Sequence, residues 1–167
     1  MNFKSIDDLI KKLSSKDKIE ATKELTKFYA DARFKIDNST FNLQYVDGRD
    51  DGGIDFYHLE GTDAFYIFQT KFVSRSQNAN EEEIMHEINK LKNTLSGENL
   101  NKRAEEFVNV VKREAKNRQA ILEIVFITTK KIAPDLQDKI QKNIDNWKKQ
   151  KIWLTMEVKF LYFQGWN

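Results

Sequence analysis

The sequence predicts an α/β domain that combines a mixed sheet with flanking helices. Residues 54–59 and 64–72 are two short runs rich in aromatic and β-branched side chains, and the four residues between them are typical of a hairpin connection. Residues 121–128 form a nearly continuous apolar run, which is typical of a buried central strand. Because helical periodicity follows that run, a helical crossover would carry the chain into a later strand.

Two helices and one further strand are predicted before the hairpin. Residues 5–13 have the pattern of a short amphipathic helix with Ser5 as its N-cap, and residues 16–33 have apolar side chains at helical spacing. Residues 40–46 alternate between apolar and polar side chains, as a half-buried strand does. With the hairpin, this strand would complete an antiparallel meander of three strands.

The second half of the chain is predicted to alternate helices with strands. A polar loop over residues 74–80 follows the hairpin. Helices are predicted over residues 81–94, 102–117 and 133–149, and a last strand over residues 152–163. We expect a single domain over residues 1–167, which would also fit the N-terminal part of a longer protein.

Composition excludes several kinds of chemistry. The chain has no cysteine and only two histidines, which excludes disulfides, thiolate zinc sites, cysteine nucleophiles and a cage of several histidines. Its first residues are partly acidic where a signal peptide needs an apolar run, and no apolar stretch approaches the ~20 residues that span a bilayer. We therefore expect a cytoplasmic protein with no membrane partner.

Basic residues cluster locally although the net charge is only +2. Such clusters are suited to phosphate contacts, and the alternative is that they are solvated helix faces. The clusters are Lys112, Arg113, Lys116 and Arg118; Lys130 and Lys131; and Lys148, Lys149 and Lys151.

An acidic, glycine-rich turn precedes the first hairpin strand, and it ends at Asp55. The second hairpin strand ends in Gln69-Thr70-Lys71, and residues two apart on a strand share a face. Adjacent antiparallel strands would bring Asp55, Gln69 and Lys71 to one edge of the sheet. The Asp55 carboxylate, the Gln69 amide oxygen and the Thr70 carbonyl are hard oxygen ligands of the kind that Mg²⁺ prefers.

This set of groups predicts metal-dependent hydrolysis of a phosphodiester. A divalent ion generates the nucleophile and acts as a Lewis acid, and Lys71 would orient the attacking water and stabilise the developing charge. Asp47, Asp50 and Asp51 are more consistent with turn formation, with Asp51 as an alternative supporting acid. Taken singly, each motif would fit an ordinary turn or an exposed strand edge.

The turn that ends at Asp55 and the Gln69-Thr70-Lys71 segment resemble the PD-(D/E)xK nuclease superfamily. The form is most similar to the Mrr-like branch and to the N-terminal domain of abortive-infection phage-resistance (AIPR) proteins. The resemblance covers residues 20–72 and implies a restriction-endonuclease-like core, with Asp55, Gln69 and Lys71 as the nuclease site. It also implies Mg²⁺ as the cofactor with Mn²⁺ as a substitute, DNA as the partner and phage defence as the context.

Gln69 departs from the acidic residue of the wider superfamily and leaves one fewer negative charge for a metal. An acid on the second predicted helix would fill this gap, and Glu20 and Glu24 compete for the role. If the apolar face of that helix centres between Ala21 and Ala32, Glu24 lies roughly 60° from the centre and Glu20 roughly 100°. This favours Glu24 as the fourth catalytic residue, the alternative being that both glutamates are solvated.

Two other functions stay open at the level of sequence. One is a DNA-binding or sensing module of the same fold with weak or lost cleavage, and the other is a helix-rich protein-interaction domain. A homodimer would follow from double-strand cutting, because one such site cuts one strand. Sequence specificity and the choice between DNA and RNA are not encoded in these motifs.

Overall fold

The computed structural model describes residues 6–46, 48, 50–72, 80–97, 100–129, 132–150 and 157–164, with backbone only for 6, 7 and 158–164. Six helices and four strands lie within these ranges. The helices are α1 (Ile6–Leu13), α2 (Lys18–Phe34), α3 (Asn38–Gln44), α4 (Glu81–Ser96), α5 (Lys102–Glu114) and α6 (Pro134–Gln150). The strands are β1 (Phe56–Glu60), β2 (Ala64–Lys71), β3 (Ile121–Thr128) and β4 (Glu157–Gln164).

The four strands form one mixed sheet in the order β1-β2-β3-β4. The β1–β2 hairpin is antiparallel, and β3 pairs in parallel with both β2 and β4. Helices α4 and α5 connect β2 to β3, and α6 lies between β3 and β4, so both parallel pairs are joined by helical crossovers. The predicted mixed α/β architecture, the hairpin and the central strand are confirmed.

The strand predicted over residues 40–46 is wrong, because this segment forms helix α3. The Asp37 side chain caps the helix by accepting a hydrogen bond from the Thr40 amide at 2.7 Å. Phe41 and Tyr45 are four residues apart and lie against each other with ring centroids 5.2 Å apart, while Leu43 between them is 67% exposed. The alternating pattern that predicted a strand therefore comes from two aromatic residues spaced four apart on a helix.

In place of the strand that the predicted meander required, the described residues contain one antiparallel bridge, between Tyr45 and Phe56. The three-stranded antiparallel meander is therefore replaced by a two-stranded hairpin with this single bridge at its edge. Val46 still donates its amide to the Asp55 carbonyl at 2.9 Å, so the segment before the turn lies beside β1 as the prediction required.

The sheet is covered on both faces by apolar side chains. Residues of α1, α2 and α3 pack on one face with Phe56, Phe68 and Val125, and those of α4, α5 and α6 pack on the other. Strand β3 is buried along nearly its whole length, as expected for a central parallel strand. The two layers fix the end of β2 between α2 on one side and α4 on the other.

Several sequence predictions fall on residues that the structure does not describe. These are the Ser5 cap, most of the loop over 74–80, the first residues of the strand predicted over 152–163, and Asp47, Lys130, Lys131 and Lys151. Within the described part of the chain, no helix combines the length and apolarity needed to cross a membrane.

Candidate functional site

The turn before β1 and the end of β2 border one open cleft. Its lining includes Asp55, Gln69, Thr70 and Lys71, so the structure brings together the four residues that the sequence grouped at one sheet edge. Asp55 donates its amide to the Phe68 carbonyl at 3.0 Å, which extends the hairpin ladder beyond β1. Its side chain continues this contact, since Asp55 Oδ2 accepts the Thr70 amide at 2.5 Å.

The backbone of the turn is held in a conformation that favours glycine. Gly52 and Gly53 have φ angles of 69° and 79°. A Cβ on Gly52 would stand 2.1 Å from Thr94 Oγ1, and one on Gly53 would stand 3.2 Å from the Leu91 amide nitrogen. The turn therefore lies directly on α4, and glycine is required there for close approach as well as for φ.

Asp51 stabilises this turn and also borders the cleft. Its Oδ1 accepts hydrogen bonds from the Gly53 amide and from Lys90 Nζ, both at 2.8 Å. The prediction that Asp51 forms the turn agrees with the first contact, and the second brings it into the charge network of the cleft.

Gln69 places a buried amide oxygen in the cleft. The residue is only 5% exposed, and its Oε1 has no hydrogen-bond partner among the residues that the structure describes. An unsatisfied buried carbonyl oxygen costs about 1–3 kcal/mol, so the arrangement is unfavourable unless a water molecule or a bound group contacts that oxygen. This is the strongest local indication of a binding site.

Lys71 lies beside Gln69 on the cleft but is paired with an acid. Its Nζ is 3.3 Å from Oε2 of Glu83, in the first turn of α4. The ammonium is partly buried and Glu83 is half-exposed. An anionic substrate would therefore compete with Glu83 for this lysine.

Helix α2 contributes polar groups to the cleft, although neither of its predicted acids is among them. Lys18, Ile19 and Thr22 line the opening. The hydroxyls of Thr26 and Thr70 share a hydrogen bond of 2.8 Å, which ties α2 to the strand that ends at the site.

Glu24 is not brought together with Asp55, Gln69 and Lys71. Its Oε1 is 2.9 Å from Lys16 Nζ, its Oε2 is 3.8 Å from Lys12 Nζ, and it lines a separate cavity. Glu20 also pairs with Lys16.

The helical wheel placed Glu24 near the site because it assumed a buried face of α2 that differs from the face buried in the structure. The buried residues of α2 are Ala21, Leu25, Thr26 and Ala30. Ala32 is exposed, so the true centre lies close to Thr22, and Glu20 and Glu24 lie roughly 150° or more from it.

Helix α4 supplies an acid and a base that the sequence prediction missed. Glu87 and Lys90 both line the cleft, with Lys90 Nζ 3.9 Å from Glu87 Oε2. Partial burial works to lower the pKa of Lys90, but the hydrogen bond to Asp51 and the charges of Asp51, Glu87 and Asp55 outweigh it and raise that pKa. The available signal was the spacing of Glu83, Glu87 and Lys90, which puts them on one helix face.

None of the described residues of the basic clusters lines the cleft. Lys116 and Arg118 precede β3, whose first residue pairs with the start of β2, whereas Lys71 pairs with the last residue of β3. Seven residues of strand separate the two ends by about 23 Å. Lys148 and Lys149 lie in the last turn of α6, which leads towards the start of β4. These clusters do not border the site.

The donor set at the cleft fits a hard divalent ion that retains water ligands. No three histidine, aspartate or glutamate side chains form a metal-binding group within the described ranges. The oxygens present are the Asp55 carboxylate, the Gln69 amide oxygen and the Thr70 carbonyl, which lies on the same side of β2 as the amide bound to Asp55. One or two carboxylates with neutral oxygens are sufficient for Mg²⁺.

Comparisons of the chain with protein-family models, with curated proteins and with solved structures gave no match.

Proposed function

We propose that this chain is a magnesium-dependent endonuclease domain that hydrolyses DNA phosphodiester bonds in the cytoplasm, with Mn²⁺ as a substitute metal. The main support is the buried Oε1 of Gln69, which has no hydrogen-bond partner among the described residues and lies beside Asp55 and Lys71 in one cleft. The restriction or phage-defence context rests on the resemblance of residues 20–72 to Mrr-like and AIPR proteins.

The first requirement of such a site is a fixed set of oxygen ligands. Asp55 is oriented by the Thr70 amide, and β2 holds Gln69 in the same cleft. When bound, the metal would supply Lewis acidity and a more acidic water. Because Gln69 and Thr70 lie on β2 and Asp55 is hydrogen-bonded to that strand, their positions need little rearrangement on binding.

The second requirement is a cation beside the phosphate. Lys71 is the cation nearest to Gln69 in sequence and lines the same cleft. It would exchange its Glu83 partner for a phosphate oxygen and then stabilise the charge that develops in the transition state. The contact of Lys71 with a phosphate and its stabilisation of the transition state are both electrostatic, so the rate would depend on salt concentration.

A DNA-binding module with weak or lost cleavage is the second candidate function. The Lys71–Glu83 ion pair favours it, because a lysine held by a carboxylate is less available to the substrate. Both candidates predict DNA binding that weakens steeply with salt, and only the first predicts strand cleavage.

Plasmid nicking with Mg²⁺ separates the two candidates. We expect Asp55→Asn, which keeps an acceptor for the Thr70 amide, and Lys71→Met each to lower the rate at least about 100-fold. Lys92→Met is the matched control, because Lys92 bonds to Asn143 on α6 and does not line the cleft. Circular dichroism of each variant establishes that folding is retained.

Wild-type protein that binds DNA without nicking it would support the second candidate. If the Asp55 and Lys71 variants retain both DNA binding and cleavage, the proposed site is rejected. Absence of both activities in the wild type would favour the protein-interaction alternative.

A further inference from the structure

An ammonium group stands among the carboxylates of the cleft. Lys90 Nζ is 2.8 Å from Asp51 Oδ1 and 3.9 Å from Glu87 Oε2, and it is close enough to Asp55 to feel its charge. All four residues line the cleft that contains the amide oxygen of Gln69, for which the described part of the chain offers no hydrogen-bond partner. The cleft thus contains both a cation and, within the described ranges, a buried amide oxygen without a hydrogen bond.

The position of Lys90 makes it a competitor for a bound metal. Two like charges a few ångströms apart near a protein surface repel each other, and the repulsion is stronger there than in bulk water. A divalent ion on Asp55 and Gln69 would be repelled by an ammonium group that is held near the same carboxylates. Retraction of Lys90 would remove this repulsion and leave Glu87 available to the ion.

We propose that Lys90 is the internal counter-ion of the cleft and that a divalent cation displaces its ammonium group from the carboxylates. The inference rests on the proposed metal-dependent function. It adds to that function a lysine that leaves the carboxylates when the metal binds. In the metal-free state Lys90 neutralises the acids, and in the metal-bound state its ammonium group turns towards the open side of the cleft. There it faces the phosphates of a nucleic-acid strand.

Calorimetric titration with Mg²⁺ tests the competition directly. We expect Lys90→Met to bind Mg²⁺ about tenfold more tightly than the wild type, because the partly exposed ammonium group is screened by solvent and salt. Lys92→Met removes a charge two residues away on the same helix and should leave the affinity within about twofold. Unchanged or weaker binding by Lys90→Met would overturn the inference and make Lys90 only a partner of Asp51.

A measurement on the wild type covers the case in which Lys90→Met does not fold. Amine acetylation followed by mass spectrometry should modify Lys90 faster when Mg²⁺ is present, while Lys92 reacts at a constant rate. Equal reactivity of Lys90 with and without Mg²⁺ overturns the displacement.

The two proposals fail in different ways. If Mg²⁺ binds and frees Lys90 but plasmid is never nicked, the counter-ion role stands and the endonuclease is rejected. If Mg²⁺ does not bind to the wild type or to either variant, both are rejected.

Discussion

Two charged cavities border helix α2, and they differ in how their polar groups are satisfied. In the cavity near α1, Glu24 Oε2 also lacks a hydrogen bond among the described residues, but Lys12 and Lys16 compensate the charge of this carboxylate. In the cleft near α4, the charges of Asp51 and Lys90 are matched, but the buried oxygen of Gln69 is not. Partly exposed ion pairs contribute little to stability or binding. A buried amide oxygen without a hydrogen bond is therefore a better indication of a site than a carboxylate whose charge two lysines already compensate.

The two cavities also differ in the backbone that supports them. The cleft rests on a glycine turn pressed against α4, whereas the other cavity is bordered by regular helices and the residues between them. Changes to the turn should affect the cleft and leave the Glu24 cavity intact.

The largest effect is expected from Gly52→Ala. The added Cβ would meet Thr94 and Leu100 while the residue keeps a φ of 69°, so we expect the free energy of unfolding to fall by about 3–5 kcal/mol. Gly61→Ala is the matched control, since Gly61 has a φ of 65° but an added Cβ would make only an ordinary contact, 3.5 Å from Asp63 Oδ1. It should lose only about 1–2 kcal/mol. Denaturant unfolding measures both, and equal losses would mean that the contact with α4 is unimportant.

A smaller effect is expected from removing single acids on the two sides of α2. Glu87→Gln should weaken Mg²⁺ binding about 10-fold or more, because it removes a carboxylate from the cleft. Glu24→Gln, the same change in the other cavity, should alter it less than about twofold. Titration calorimetry gives both values. The reverse pattern would restore Glu24 as the functional acid and contradict the position that the structure gives it.

The smallest effect is expected from His58, which borders neither cavity. Its ring stacks on Phe34 at 4.2 Å and its Nδ1 is 2.9 Å from Gln44 Oε1. Burial lowers the pKa of His58 against the opposing charge of Glu60. The unfolded chain therefore binds more protons just below its ordinary pKa of about 6.5. Stability should decline as the pH falls through this value and level off below the folded-state pKa.

Unfolding free energies measured between pH 7.5 and pH 5 test this dependence, over a range set by the ordinary histidine pKa of about 6.5. His58→Gln should reduce the slope, whereas His86→Gln, at an exposed position, should retain it. A slope that persists unchanged in His58→Gln would assign it to other groups.

The part of the site that could be predicted from sequence is the part that depends on local geometry. Asp55, Gln69 and Lys71 are on consecutive paired segments, so strand periodicity and the hairpin were sufficient to group them. The central strand was equally predictable, because burial on both faces produces a continuous apolar run.

The missed features depend on contacts between distant segments. Which face of α2 is buried is decided by the sheet and α1, so a helical wheel centred between Ala21 and Ala32 favoured an acid that does not line the cleft. Glu87 and Lys90 reach the cleft only because α4 packs on the glycine turn. In residues 40–46 the spacing of the aromatic side chains fits both the periodicity of a strand and that of a helix. The cap that Asp37 provides favours the helix.

The parallel pairing of β2 with β3 has a consequence for how the cleft forms during synthesis. The hairpin that holds Asp55 and Lys71 is local, yet an isolated two-stranded hairpin is marginally stable in water. Its partner β3 emerges from the ribosome some fifty residues later, after α4 and α5. We therefore expect a nascent chain to lack a competent cleft until β3 is in place, which would delay any hydrolytic activity until most of the domain has been translated.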